Sequence, residues 1–351
     1  MGEHFEQRKL TPLTEIGEFG LIDHLTKNIV LVNPETRYGV GDDAAVLQYG
    51  EKLMLVSTDI LTEGIHFDLT YFPLQHLGYK AIAVNLSDIY AMNGTPKQVT
   101  VSLAVSSKFS LEAIEKIYSG IHRACANFNV DIIGGDTASS NAGLFLSVTV
   151  LGSADPEDVV YRHGANEKDL ICVTGDLGAA FMGLLLLERE KTVFKADPNM
   201  QPDFAGKDFL LEKQLKPEPR KDIIDLFREK KIKPTAMIDI SDGLASEVFH
   251  LGKRSGLGAT IYEEKLPIFQ TTFDTAREFS IDPTTAALNG GEDYELLFTI
   301  TQHDYEKIKT FSDISIIGHM VEASYGFQLI SKNGVQTPLK AQGWDAFNTI
   351  K

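Results

Sequence analysis

The chain has 351 residues, of which 43% are hydrophobic and 23% are charged, and its 49 acidic against 33 basic residues give a formal net charge of −16. A surface of this sign repels nucleic acid and anionic membranes, so the composition argues against both as partners. The length favours two domains, each long enough to bury a core of its own.

Apolar runs of strand length recur along the chain, and helical patterns separate them. The predicted strands cover 53–59, 98–105, 130–136, 144–152, 170–176, 235–242 and 294–300, and the clearest helical patterns cover 74–92 and 110–128. This alternation predicts α/β or α+β layers. The polar segment 153–169 predicts a boundary between an amino-terminal domain (1–155) and a carboxy-terminal domain (156–351). Residues 188–206 are predicted to form a loop or an insertion.

Acidic residues and glycines lie where several predicted strands end. Asp59 ends LMLVSTD, Asp136 ends VDIIGGD, Asp239 and Asp242 lie in TAMIDISD, and Glu292 follows two glycines in NGGEDYEL. Open α/β sheets present ligand sites at the carboxyl ends of strands, and glycine lets the backbone approach a ligand closely. Asp and Gly are also common in turns, so turn chemistry is the alternative for any single position. Their recurrence favours a functional site.

Two further places put carboxylates where they are unfavourable. Asp42 and Asp43 are adjacent in VGDDAAVL, and Asp88 continues the apolar stripe of the predicted helix 74–92. A buried carboxylate needs a cation, unless the helix end is exposed or a Lys or Arg pairs with it. Carboxylate oxygens favour Mg²⁺, Mn²⁺ or Ca²⁺ over zinc, and Mg²⁺ held between carboxylates and substrate phosphates is typical of phosphoryl transfer.

Several common motifs are missing from the sequence. It contains no HExxH pair, EF-hand loop, GxxxxGK[ST] loop or GxSxG elbow. The stretch GVGDDA at 39–44 matches GxGxxA, but the preceding NPETRY is not predicted to be a strand, and two aspartates would face a pyrophosphate. We therefore reject a dinucleotide site there. The cysteines Cys125 and Cys172 lack a CxxC spacing and predict reduced core residues of a cytoplasmic protein.

Two further observations concern targeting and membranes. The amino-terminal segment MGEHFEQRKL is charged and lacks the apolar core of a secretory signal. The longest apolar stretch, AAFMGLLLLE, has about half of the ~20 residues that a membrane span needs. Both observations agree with a cytoplasmic protein that does not enter the membrane.

Seven blocks together resemble one known family. VGDDAAVL, STDILTEGIHF, YKAIAVNLSD, IIGGDT, RHGA, IDISDGL and NGGEDYEL stand in the order seen in thiamine-monophosphate kinases, from about residue 16 to 347. These kinases belong to the superfamily of aminoimidazole ribonucleotide synthetase and selenophosphate synthetase. The resemblance implies an amino-terminal α+β domain, whose four-stranded sheet pairs across a homodimer, followed by a carboxy-terminal α/β domain. It also implies Mg²⁺-dependent phosphorylation of thiamine monophosphate by ATP, giving thiamine diphosphate.

The resemblance further implies a set of site residues, grouped by ligand. The implied metal ligands are Asp43, Ser57, Thr58, Asp59, Asp88, Asp136, Asp239 and Asp242. ATP would contact Gly135, Asp136, Arg162 and Ser241, and thiamine monophosphate would contact His66, Glu292 and Trp344. The matching motif puts the metal contact on Asp43 and leaves open whether Asp42 also touches metal. No catalytic base or nucleophile is expected from a side chain, because the acceptor phosphate has a second pKa near ~6 and is itself ionised.

Three other functions compete with this prediction. Selenophosphate synthetase is disfavoured because the chain has no Cys before Cys125. Aminoimidazole ribonucleotide synthetase is disfavoured by the GIHF and NGGEDYEL blocks. A Ca²⁺-dependent binding protein, with the acids as cation ligands only, belongs to a different class. Release of ADP with thiamine monophosphate and Mg²⁺ would separate an enzyme from such a binder.

Overall fold

The computed structural model describes residues 11–343 and contains two β-sheets with helices packed against them. Its helices are α1 (Leu13–Thr26), α2 (Leu74–Ala91), α3 (Leu111–Phe128), α4 (Ala179–Ala196), α5 (Asp208–Leu215), α6 (Lys221–Lys230), α7 (Leu244–Ser255), α8 (Gln270–Glu278), α9 (Pro283–Asn289) and α10 (Tyr305–Ile308). Its strands are β1 (Thr36–Tyr38), β2 (Ala45–Gln48), β3 (Leu53–Thr62), β4 (Thr95–Val105), β5 (Asp131–Ser139), β6 (Phe145–Ala154), β7 (Leu170–Thr174), β8 (Ala236–Asp239), β9 (Leu257–Tyr262), β10 (Leu296–Ile300), β11 (Ile314–Glu322), β12 (Phe327–Ile330) and β13 (Gln336–Pro338).

The first sheet has the strand order β1-β2-β3-β6-β4-β5, and only the β4–β5 pair is parallel. Its four long strands, β3, β6, β4 and β5, form a four-stranded sheet, which the short strands β1 and β2 extend at one edge. Residues alternate between the faces of a strand, and in β3 the side chains of Leu53, Leu55 and Leu61 are buried. Helices α2 and α3 pack against each other, and α2 contacts β3, β4 and β6.

The second sheet has the order β13-β12-β9-β11-β7-β10-β8, and only the β12–β9 pair is parallel. Helix α7 packs on β8, β9 and β10, while α4, α5, α8 and α9 contact one another. The mixed α+β fold class that the sequence predicts is confirmed. Among residues 11–343, no helix has both the length and the apolar composition that crossing a membrane requires.

Helix α2 lies between the two sheets and determines where the site forms. It contacts three strands of the first sheet and also β8 of the second. Leu55 and Leu86 belong to the same hydrophobic core as Met237 and Phe298, so one core runs across both sheets. The division of the chain at 155/156 falls between the last strand of the first sheet and the first strand of the second, and it remains a prediction.

The structure corrects the prediction for residues 188–206. Helix α4 continues through this segment as far as Ala196, so the prediction of a loop is wrong for 188–196. The charged residues ERE (188–190) interrupt the apolar pattern of the helix. Glu190 is nevertheless buried, and its carboxylate accepts a hydrogen bond from the backbone N–H of Asp203 at 3.1 Å. A buried carboxylate that is satisfied by the following loop lets the helix continue.

Candidate active site

Three carboxylates from distant parts of the chain meet between the sheets. One oxygen atom from each of Asp43, Asp88 and Asp239 lies within 4.8 Å of the other two. Asp43 precedes β2, Asp88 lies in the last turn of α2, and Asp239 is the last residue of β8. We call these three residues the carboxylate cluster. Because α2 contacts both sheets, it brings Asp88 close to one carboxylate from each side.

Hydroxyl groups fix two members of the cluster. The Ser57 hydroxyl donates a hydrogen bond to Asp88 Oδ2 at 2.6 Å, and the Ser87 hydroxyl donates one to Asp239 Oδ2 at 2.5 Å. Each carboxylate therefore keeps a second oxygen for another ligand. Hydroxyl donors orient a carboxylate without neutralising it, so the cluster stays rich in negative charge.

Arg162 holds the third member. Its Nη2 donates to Asp43 Oδ1 at 2.7 Å, and its backbone N–H lies 3.2 Å from both carboxylate oxygens of Asp42. Asp43 Oδ2 and Arg162 Nε are both buried and have no hydrogen-bond partner among residues 11–343. Buried polar atoms are rarely left without a partner, so both atoms are candidate contacts for a ligand.

Burial and mutual repulsion raise the pKa of the acidic groups here. Burial, followed by the charge of Asp43, raises the pKa of Asp42 to about 7, that of Asp59 to about 6 and that of Asp239 to about 7. Burial and the charges of Asp59, Asp239 and Asp43 raise the pKa of Asp88 well above its usual range. The ionised cluster is therefore unfavourable by itself, and a bound divalent cation would compensate its charge.

Two residues predicted to bind substrate, His66 and Glu292, lie near each other. His66 Nδ1 accepts a hydrogen bond from the backbone N–H of Thr62 at 3.0 Å, so the neutral ring carries its proton on Nε2. Burial lowers the pKa of His66, and the nearby charge of Glu292 partly opposes that effect. The Glu292 carboxylate receives an ion pair from Lys80 Nζ at 2.9 Å. His66 and Glu292 therefore share one region of the molecule.

The backbone around Glu292 is held in an uncommon conformation. Glu292 has φ +57° and Tyr294 has φ +49°, both in the left-handed region that non-glycine residues rarely occupy. The backbone N–H of Glu292 donates to the carbonyl of Ser241 at 2.6 Å, and that of Tyr294 to the carbonyl of Ile240 at 2.9 Å. These bonds tie the loop that carries Glu292 to the loop after β8, which carries Ser241 and Asp242. Strain of this kind is concentrated at functional sites.

The remaining predicted residues are placed differently. Thr58 is exposed on the opposite face of β3 from Ser57 and Asp59, and its hydroxyl donates to the carbonyl of Val148 at 3.1 Å. Asp136 is also exposed, in the edge strand β5. The structure therefore does not bring Thr58 or Asp136 into the carboxylate cluster.

Gly135 and Asp242 have defined backbone surroundings. A Cβ atom at Gly135 would lie 1.9 Å from the carbonyl oxygen of Val101, so the pairing of β5 with β4 requires glycine there. Asp242 precedes α7, and its backbone N–H donates to the buried carboxylate of Glu247 at 3.0 Å. Trp344 lies outside the described residues.

Two details of the sequence interpretation are wrong. Asp59 and Asp136 do not end their strands, because β3 continues to Thr62 and β5 to Ser139. The last three residues of NPETRY do form a strand, β1. The dinucleotide site remains rejected, since the strand β2 follows GVGDDA where that motif requires a helix.

Several residues of the site were missed by the sequence interpretation. Asn85 Oδ1 accepts the backbone N–H of Asp59 at 3.1 Å, Ser87 holds Asp239, and Lys80 holds Glu292. All three lie in YKAIAVNLSD, where polar residues interrupt an otherwise apolar helix. Glu247 is buried close to Asp242 and Arg162. Burial and the charge of Asp242 raise the pKa of Glu247 well above its usual range, and the charge of Arg162 partly opposes them. In the sequence, Glu247 is distinguished only by its position in the first turn of the helix α7.

The chain is similar to several known proteins. Residues 41–154 match the family model described as AIR synthase related protein, N-terminal domain. The curated thiamine-monophosphate kinase of Aquifex aeolicus is 35% identical over 95% of this chain and 99% of its own length. That of Bacillus subtilis is 33% identical over 94% of this chain and 99% of its own length. The solved structure described as AaThiL complexed with AMPPCP and TMP has a TM-score of 0.82 at 33% identity, covering 97% of this chain and all of that one.

Proposed function

The chain belongs to the family of thiamine-monophosphate kinases, and we propose that its carboxylate cluster is where ATP phosphorylates thiamine monophosphate. The activity is the ATP-dependent conversion of thiamine monophosphate to thiamine diphosphate. The observation that carries the location is the meeting of Asp43, Asp88 and Asp239 between the two sheets. The related structure with AMPPCP and TMP supports ATP and thiamine monophosphate as the two substrates.

The residues present fit a magnesium site. The donors are hard oxygen atoms, Asp43 Oδ2 is buried without a partner among residues 11–343, and no His or Cys belongs to the cluster in that range. We propose that Asp43, Asp88 and Asp239 hold Mg²⁺, with Ser57 and Asp59 close by. Thr58, Asp136 and Asp242 remain ligands predicted from the resemblance. Bound Mg²⁺ would neutralise phosphate charge and so allow two anionic substrates to meet on an acidic protein.

Arg162 is well placed to bind the phosphates of ATP. It lies beside the carboxylate cluster, and its Nε is a buried donor without a partner in the described part of the chain. A guanidinium group can hold a phosphate through two parallel hydrogen bonds. Gly135, Asp136 and Ser241 remain further ATP contacts predicted from the sequence.

The chain need not supply a nucleophile or a base, and transfer is direct and in line. The acceptor is a phosphate oxygen of thiamine monophosphate, which is largely ionised at neutral pH because the second pKa of a phosphate monoester is near ~6. The task of the protein is then to align two phosphates and balance their charge. His66 can donate from Nε2, Glu292 offers a carboxylate to the cationic substrate, and the Trp344 indole would stack on its rings.

We also propose that the chain acts as a homodimer in the cytoplasm. One face of the first sheet is covered by helices, whereas the other exposes apolar residues such as Ile60, and the edge strand β5 is exposed along nearly its whole length. An exposed apolar sheet face is a surface that a second copy of the chain can cover, and an unpaired edge strand is usually protected as well. Buried, free Cys125 and Cys172 suit a reducing compartment.

Release of ADP tests the function directly. With ATP, Mg²⁺ and thiamine monophosphate, we expect turnover that stops when any of the three is left out. Incubation with γ-labelled ATP alone should leave no label on the protein. Cation binding without turnover would favour a Ca²⁺-dependent binding protein, and stoichiometric labelling of the protein would contradict direct transfer.

A further inference from the structure

Lys80 is a fully buried lysine that the mechanism above does not use. It lies in the first half of α2, and its residue exposure is 0%. Its Nζ is 2.9 Å from Glu292 Oε1 and 3.2 Å from the backbone carbonyl of Gln214, and it lies 5.6 Å from the centre of the Phe72 ring. Burying an ammonium group is costly, so a lysine in this position normally has a partner that repays the cost.

That partner, Glu292, is held from three directions. Lys80 binds one carboxylate oxygen, and the Gln214 side-chain Nε2 donates to the other at 2.8 Å. The backbone N–H of Glu292 is fixed by the carbonyl of Ser241. The Glu292 side chain nevertheless keeps 26% of its surface exposed, against 1% for Lys80. A carboxylate that is fixed at both oxygens and still partly open is suited to meet a ligand.

The surroundings point the same way. Gln214 Oε1 is buried and has no hydrogen-bond partner among residues 11–343. Exchanging the nitrogen and oxygen of the Gln214 amide would not provide a partner, because it would turn an oxygen atom towards the Glu292 carboxylate. The charges of Lys80 and Glu292 both act on His66, so all three lie close together. An unpartnered acceptor, a fixed carboxylate and a ring donor thus share one corner of the site.

We infer that Lys80 is a positioning residue for substrate binding: together with Gln214 it fixes the Glu292 carboxylate that receives the cationic, amine-bearing acceptor. This inference rests on the proposed function. Lys80 balances the charge of Glu292 from the buried side, so the exposed side remains available to the acceptor. Fixing the carboxylate beforehand removes an ordering cost from substrate binding. The effect belongs to the acceptor more than to ATP, because Lys80 contacts the Glu292 side chain, whereas Arg162, the charged ATP contact that we propose, pairs with Asp43.

The test compares two lysine–glutamate pairs. Lys80→Met breaks the pair with Glu292. Lys213→Met breaks the 2.7 Å pair with Glu295, which lies three residues after Glu292 in the chain. Both variants remove a partly or fully buried ion pair. We expect only Lys80→Met to raise the KM for thiamine monophosphate, by at least ~10-fold, with the KM for ATP changed less than ~2-fold. Lys80→Arg, which keeps the charge, should recover part of the loss.

A double variant shows whether Lys80 acts through Glu292. In a Glu292→Gln background, Lys80→Met should change the KM for thiamine monophosphate by less than ~2-fold, because its partner is already lost. If Lys80→Met does not fold, Gln214→Leu frees the other carboxylate oxygen and should raise the same KM. An unchanged KM for thiamine monophosphate in the folded variants, or an equal rise of this KM in Lys213→Met, would overturn this inference but not the proposed function. A wild-type chain that releases no ADP would overturn the proposed function and this inference with it.

Discussion

At the scale of single residues, Asp88 should be the most costly carboxylate of the cluster to replace. It is surrounded by three other carboxylates, and its hydroxyl partner Ser57 carries no charge. We expect Asp88→Asn to lower kcat by at least ~100-fold through lost charge stabilisation. Without metal, the same change should raise the melting temperature, because it removes a repulsion. Steady-state assays and thermal unfolding in EDTA measure the two effects.

The matched control for this prediction is Asp131→Asn. Asp131 is exposed at the first residue of β5, so the variant makes the same change of charge away from the cluster. It should alter neither kcat nor melting temperature appreciably. An Asp88→Asn enzyme with near-normal turnover at limiting Mg²⁺ would exclude Asp88 as a ligand.

The raised pKa values predict how the stability of the metal-free protein depends on pH. The ordinary carboxyl pKa is 3.8, and in the folded state it rises to about 7 for Asp42 and Asp239 and about 6 for Asp59. The folded state then binds more protons than the unfolded state, so these groups stabilise at low pH and lose that contribution as pH rises to about 7. Denaturant unfolding in EDTA should show a free energy of unfolding that falls between pH 5 and 8, and Mg²⁺ should flatten the curve. A free energy that rises over this range without metal would contradict the raised pKa values.

Some site residues could be predicted from the sequence, and others could not. Asp43 and Asp88 stood out because their carboxylates are in unfavourable positions, and Asp239 stood out because it lies where a predicted strand ends. Lys80 did not, because a lysine in a helical pattern is usually solvent-exposed, and its burial depends on a partner 212 positions away. Thr58 came from the resemblance alone, and its position on the far face of β3 follows from strand alternation.

At the scale of elements, α2 departs most from its sequence pattern. The apolar stripe predicts one buried face, whereas 14 of its 18 residues are buried. A helix between two sheets must be buried on all sides, but periodicity reports only one face. The extent of β3 beyond Asp59 was missed for a related reason. An acidic residue suggests the end of a strand, but β3 continues past Asp59, whose backbone N–H donates to the Asn85 side chain of α2.

The close contact of α2 with α3 is a second property of these elements that can be tested. A Cβ atom at Gly120 would lie 1.9 Å from the carbonyl oxygen of Gln75, so the two helix backbones touch there. Gly120→Ala would push α2 away and should cost about 1–3 kcal/mol in the free energy of unfolding, despite the better helix propensity of Ala. The exposed neighbour Ser119→Ala, one position earlier on α3, should be nearly neutral. Equal stability of the two variants in urea would show that the helices can separate freely.

At the scale of the whole molecule, the net charge of −16 and the open sheet face have to be explained together. Two strongly negative chains repel each other, so a dimer must form through a surface that contains few charges. The open face of β3 and β6 provides one, with Val56, Ile60, Phe145 and Leu151 partly exposed beside threonines and serines.

A pair of substitutions decides whether that face joins two copies. Ile60 is 54% exposed on the open face, and Val335 is 57% exposed between β12 and β13 in the second sheet. We expect the wild-type chain to be a dimer by light scattering, Ile60→Lys to be largely monomeric, and Val335→Lys to remain dimeric. A lysine from each copy would bury charge in an apolar contact that symmetry repeats, so one substitution acts twice. A wild-type monomer, or a dimer that both variants preserve, would mean that the open sheet face is not the dimer interface.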